Sequence, residues 1–116
     1  MKNEKLILLI LTTMLFLGIE SVSAQDNNAQ TVIIRVFEHH RNESKMITTT
    51  PDGSINVIKL TAVNALTFEG SENNSVIMQS EINKWKNLGF TLDNLSSLSN
   101  PTGAFITTII LSKKEE

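Results

Sequence analysis

Cysteine and tyrosine are absent from this chain of 116 residues, proline occurs twice and tryptophan once. Without cysteine there is no disulfide and no lipid-modified thiol, so any exported form must hold together by its core alone. Basic residues are not in excess: 10 Lys and Arg stand against 12 Asp and Glu, a formal charge of −2. No basic patch with interleaved aromatics is visible, so nucleic acid is not an expected partner. No strongly cationic amphipathic stretch marks a membrane-surface segment either.

A long apolar run is missing as well. Leu6 to Gly18, broken by Thr12 and Thr13, falls short of the roughly 20 residues a spanning helix needs. With Lys2 and Lys5 before it and Val22-Ser23-Ala24 after it, the run reads as a secretory signal peptide over 1–24, cleaved between Ala24 and Gln25. No stable membrane anchor would remain after cleavage. The expected organisation is then a flexible polar N-terminus over 25–30, one domain over 31–112 and a charged tail over 113–116. A domain this small buries a little over roughly 60% of its unfolded surface, enough to fold alone.

What is present is a helix among strands. Over Asn74 to Phe90 the residues Met78, Ile82, Trp85 and Leu88 step by four, three and three, which places them in one apolar stripe. Asn73 or Asn74 can cap the start, with Glu72 near the same positive end. Gly89 suits a left-handed closing residue, after which Phe90 folds back onto the last turn. Before the helix, Thr31 to about Glu38 reads as a central strand, and Lys45–Thr50 and Ile55–Leu60 as a hairpin around Pro51-Asp52-Gly53. Thr61 to Asn73 is expected to cross the sheet, partly lying on it through Ala62, Val63, Leu66 and Phe68, with a break at Gly70.

After the helix a short strand is expected near Phe90 to Asp93, then a polar stretch from Asn94 ending in the turn Asn100-Pro101-Thr102-Gly103. Ala104–Leu111 closes the domain as an internal strand, with Phe105, Thr107, Ile109 and Leu111 on one face. The predicted fold class is α+β: a single antiparallel sheet of about five strands, one helix across one face, order βββαββ.

Little in the sequence carries chemistry. His39-His40, flanked by Glu38, Arg41 and Glu43, gathers ligand-type side chains, but neighbours on an extended chain point to opposite sides and no further histidine completes a zinc set. The expected metal and cofactor sets are therefore empty. There is no G-x-S-x-G elbow and no glycine-rich phosphate loop. The carboxylate pairs Glu69 with Glu72 and Glu38 with Glu43 fall in segments expected to be exposed. No catalytic residue is assigned, and an enzyme is not expected. Sequons at Asn42, Asn73 and Asn94 occur about as often as chance allows in a chain rich in Ser and Thr, and the threonines at 48–50 and 107–108 suit strands.

The leader, a first strand VIIRVFE, a strand ending at PDG, a helix with INKW and LGF, and a closing strand ITTIILSKK together resemble small exported α+β proteins of unknown function from Gram-negative bacteria. The resemblance covers most of the chain after the leader. It implies a glycine-aromatic helix end at Gly89 and Phe90, a hairpin through Ser96-Ser97-Leu98-Ser99, and a periplasmic or outer-envelope setting. It brings no catalytic or binding residues. The functional expectation is an exported interaction module, periplasmic or secreted, that binds an envelope protein or itself through a sheet edge or face. The alternative is a small-molecule binding domain with its ligand between helix and sheet.

Overall fold

The computed structural model describes residues 29–116; the expected leader over 1–24, the expected cleavage site at Ala24 and Gln25, and most of the 25–30 segment lie outside them. The elements are β1 (Ala29–His39), β2 (Ser44–Thr49), β3 (Ile55–Leu60), α1 (Ser71–Asn87), β4 (Thr91–Ser99) and β5 (Ala104–Lys114). The strands form one five-stranded sheet in the order β3-β2-β1-β5-β4. Every neighbouring pair is antiparallel. This is the α+β fold of order βββαββ that the sequence predicts.

β1 is central because both of its faces are β-prone. Its even-numbered residues Val32, Ile34 and Val36 are buried. Ile34 stands between Thr48 of β2 and Ile109 of β5, and Val36 between Met46 and Thr107. With Leu60, Ile109 and Leu111 they make the core that α1 covers through Trp85, Ile77, Met78 and Ile82. Each fully buried aliphatic side chain there contributes about 1.5–3 kcal/mol relative to exposure.

β1 starts two residues earlier than expected, since Ala29 and Gln30 pair with Lys114 and Lys113, which also draws the first half of the charged tail into β5. At the hairpin, Gly53 N–H donates to the Thr50 carbonyl at 2.9 Å. The Asp52 carboxylate accepts from Ser54 N–H at 3.0 Å, from Ser54 Oγ at 2.7 Å and from the Thr50 hydroxyl. Led by the Thr50 hydroxyl, these donors hold its carboxyl below the ordinary 3.8, at about 2.

The helix runs over Ser71–Asn87, earlier than the expected 74–90. No asparagine caps it. The chain enters through Gly70 at φ 92°, without a side-chain cap, where a Cβ would come within 2.5 Å of the Ala62 carbonyl oxygen. Asn74 instead latches the β3–α1 connection: its Oδ1 accepts Thr61 N–H at 2.9 Å, and its Nδ2 donates to the Thr61 carbonyl at 2.8 Å and to Glu38 Oε1 at 3.0 Å. Of the crossing segment only Val63 is buried, while Leu66 and Phe68 are exposed.

The helix end follows the expectation. Gly89, at φ 92°, donates to the Lys86 carbonyl and Phe90 N–H to the Trp85 carbonyl, at 3.0 and 3.1 Å. The Phe90 ring then meets Trp85 edge-on, 5.3 Å between centroids. This paired bonding with an apolar contact across it is a Schellman closure. Leu88, expected on the buried stripe, sits past the last helical residue and is 53% exposed. Asn74 and Glu81 are on the buried face in its place, beside Met78, Ile82 and Trp85.

β4 is longer than expected, continuing through the serine-rich stretch to Ser99 with a bulge between Leu92 and Asn94. Phe90 is not part of it. The turn at 100–103 forms as expected, with Gly103 N–H on the Asn100 carbonyl at 3.1 Å and Asn100 N–H on the Ala104 carbonyl at 3.0 Å.

Candidate interaction surface

The period of two in β1 that buries Val32, Ile34 and Val36 sends Ile33, Arg35 and Phe37 to the other side. Strand register extends that side into rows. Lys59, Lys45, Phe37, Ile106 and Leu98 form one row, Val57, Ile47, Arg35, Thr108 and Ser96 the next, and Ile55, Thr49, Ile33, Ile110 and Asn94 the third. Ile33, Phe37, Ile47, Ile106 and Ile110 are half-buried by their neighbours. Ile55, Val57 and Leu98 are 66%, 57% and 70% exposed. Among the described residues no element covers this face, since the one helix packs on the opposite side. At ~4.8 Å between strands and ~3.4 Å per residue the three rows span on the order of 400 Å², comparable with the largest apolar patches on monomers.

Within the three rows the charge is of one sign. Arg35, Lys45 and Lys59 lie within the three rows, and no carboxylate does. Lys45 and Lys59 stand directly opposite each other, a pairing that destabilises a sheet unless an anion is supplied. Glu43, just before β2, supplies one at Lys59 Nζ, 2.6 Å away, and that ammonium lowers the Glu43 carboxyl below its ordinary 4.5. Lys45 Nζ lies 5.8 Å from the centroid of the Phe37 ring. A chain with more acid than base thus presents a locally positive, apolar face.

Where α1 lies on it, the opposite side of the sheet is closed. Glu81 is buried on the seam, accepting from Thr48 Oγ1 at 3.1 Å and Trp85 Nε1 at 2.9 Å, with Lys84 Nζ at 3.5 Å. Among the described residues every buried side-chain nitrogen and oxygen has a hydrogen-bond partner. At its end the seam opens into a shallow groove bordered by Pro51, Trp85, Leu88, Phe90 and Lys113.

The histidines do not diverge as expected for an extended chain. The chain bends after β1, and the two rings stack at 5.1 Å. His39 Nδ1 accepts the N–H groups of Arg41 and Asn42, both at 3.0 Å, and His40 Nδ1 lies 3.2 Å from the Gly103 carbonyl. No group of three or more His, Asp or Glu side chains converges among the described residues. Glu43, Glu69 and Glu72 are exposed, Glu38 is spent on Asn74, and the carboxylate pairs do not form a site. Asn42, Asn73 and Asn94 are all at the surface. Of the threonines at 48–50 and 107–108, Thr48 serves Glu81, Thr107 shares a 2.8 Å hydrogen bond with Ser97, and Thr49 and Thr108 face outward from the sheet.

Sequence reasoning missed the cations as a group because they are spread over three strands and meet only through register; a pairing of the 45–60 hairpin, once drawn, would have found Lys45 against Lys59. Fold and surface together define a single-sheet α+β domain with one face covered by the helix over its core and one open, cationic face. No protein-family model matches the chain, and neither does any curated protein or solved structure.

Proposed function

We propose that the chain is an exported interaction module without catalytic activity, periplasmic or secreted, that docks an envelope protein through the open face of its sheet. The observation that carries this reading is the uncovered apolar patch of Ile33, Phe37, Ile47 and Ile106 with Arg35, Lys45 and Lys59 set into it and no carboxylate within its three rows, Glu43 at the border being paired with Lys59. Two copies of that face would bring like charges together, so the complement is a surface with Asp and Glu around an apolar centre. An area of about 400 Å² is half of the ~800 Å² per partner in a standard interface, which makes the association weak or transient. The export leader over 1–24 supports the envelope setting.

The test is retention of an envelope protein on the immobilised chain. The expected result is capture at about 50 mM salt, release at about 500 mM as the charges are screened, and loss of capture with Arg35→Glu and Lys45→Glu at unchanged melting temperature. Equal capture by the charge-reversed variant would overturn the reading. The small-molecule alternative is favoured by one observation, the groove at the end of the helix–sheet seam. A ligand there would raise the melting temperature of the wild type and not that of Leu88→Glu.

A further inference from the structure

The two edges of the sheet are built differently. β3 is six residues long and carries Lys59, a short charged strand of the kind that blunts an edge. β4 is nine residues long, and every one of them is exposed. It contains no proline and no basic residue, and its one charge, Asp93, sits in the bulge at its start. From Asn94 to Ser99 it is regular and uncharged, paired on its inner side with Phe105–Ile110 of β5. Its outer side has no partner strand among the described residues. Leu95 and Leu98, 53% and 70% exposed, stand on opposite faces of this segment, Leu95 opposite Ile109 on the helix side and Leu98 opposite Ile106 on the open side.

The geometry points to a second copy of this chain as the occupant of that edge: β4 pairs antiparallel with β4 of its partner about a two-fold axis perpendicular to the sheet, giving one continuous ten-stranded sheet. An edge without charge meets itself without repulsion, which the cationic open face cannot do. A two-fold axis in that direction keeps both helices on one side. It continues the apolar row of Leu95 from copy to copy on that side and the row of Leu98 on the other. The unpaired backbone groups of Asn94–Ser99 gain partners from an identical strand, the mode by which exposed edges accept strands. This dimer extends the interaction reading and is independent of it, because it leaves the open face free in both copies.

The experiment is the molar mass of the purified protein by light scattering over a range of concentrations, with backbone hydrogen exchange on the same samples. The wild type is expected at twice the chain mass, with the amides of 94–99 gaining protection as concentration rises. Leu95→Lys with Ser99→Lys, both on the helix side and exposed in the single chain, is expected to return the mass to one chain with an unchanged circular-dichroism melt. Arg35→Glu on the open face should leave the dimer intact while abolishing capture of the envelope partner, so the two readings fail separately. A wild type that stays at the mass of one chain throughout overturns the dimer. So does one whose doubled mass survives the two lysines.

Discussion

Glu81 offers the sharpest energetic test of how the helix is held. The residue is 7% exposed, and one carboxylate oxygen accepts from both Thr48 Oγ1 of the sheet and Trp85 Nε1 of the helix. Glu81→Ala strands two buried donors at once. Each unsatisfied buried donor costs about 1–3 kcal/mol, so the variant should lose about 2–6 kcal/mol. A domain of this size holds about 4–13 kcal/mol at ~0.05–0.15 kcal/mol per residue, and the loss would take a large part of it. Glu81→Gln keeps an acceptor oxygen and should lose about 1–2 kcal/mol, the difference between a charged and a neutral hydrogen-bond partner. Trp85→Phe deletes one donor. A double-mutant cycle of Glu81→Ala with Trp85→Phe should therefore give a coupling of about 1–2 kcal/mol. Urea unfolding followed by far-UV circular dichroism reads all four proteins, since the only tryptophan is itself changed. A loss below about 0.5 kcal/mol for Glu81→Ala, in the range of a surface substitution, or a cycle that closes additively, would refute the seam as described.

Two glycines at the same φ separate strain from collision. Gly70 and Gly89 both have φ 92°, but a Cβ at Gly70 meets the Ala62 carbonyl oxygen at 2.5 Å whereas at Gly89 it meets the flexible Lys113 side chain at 3.3 Å. Gly89→Ala should cost about 1–2 kcal/mol from the left-handed backbone alone, and Gly70→Ala clearly more, by chemical denaturation; equal losses would mean that the Ala62 carbonyl moves freely aside. The Asp52 carboxyl, held at about 2 by its hydroxyl and backbone donors, should titrate with that midpoint in a carboxyl NMR experiment. Because its folded value lies below its unfolded one, its contribution is complete above about pH 4 and fades as pH falls toward 2. Asp52→Asn should lower stability at neutral pH, flatten the acid limb between about pH 4 and 2, and leave the slope near neutrality unchanged.

The order of elements, the Pro51-Asp52-Gly53 hairpin and the Gly89-Phe90 closure were legible because each is written locally, in periodicity or in a residue that one turn geometry favours. The helix face was only half legible. Hydrophobic spacing finds Met78, Ile82 and Trp85, but it is blind to Asn74 and Glu81, whose burial depends on partners in Thr61, Glu38 and Thr48 far along the chain. Leu88 was drawn into the stripe by spacing, although the closure at Gly89 turns the chain away before it can pack. Residue patterning stopped β4 at Asp93, leaving the hairpin through Ser96–Ser99 to the resemblance alone, for two reasons. An exposed edge strand imposes no in-and-out alternation, and the bulge between Leu92 and Asn94 shifts the phase, leaving Leu92 and Leu95 opposite Leu111 and Ile109 on the same side at a spacing of three. The open face required register, because Arg35, Lys45 and Lys59 are neighbours only across strands.

The claim that this open face is the working surface is tested most directly by photocrosslinking in the cell. A photoreactive side chain at Ile47, in the middle row of the face, is compared with the same group at Gln79, exposed on α1. The account predicts a discrete crosslinked envelope protein from position 47, lost with Arg35→Glu, and none from position 79. No product at 47, or the same product from both positions, would contradict it.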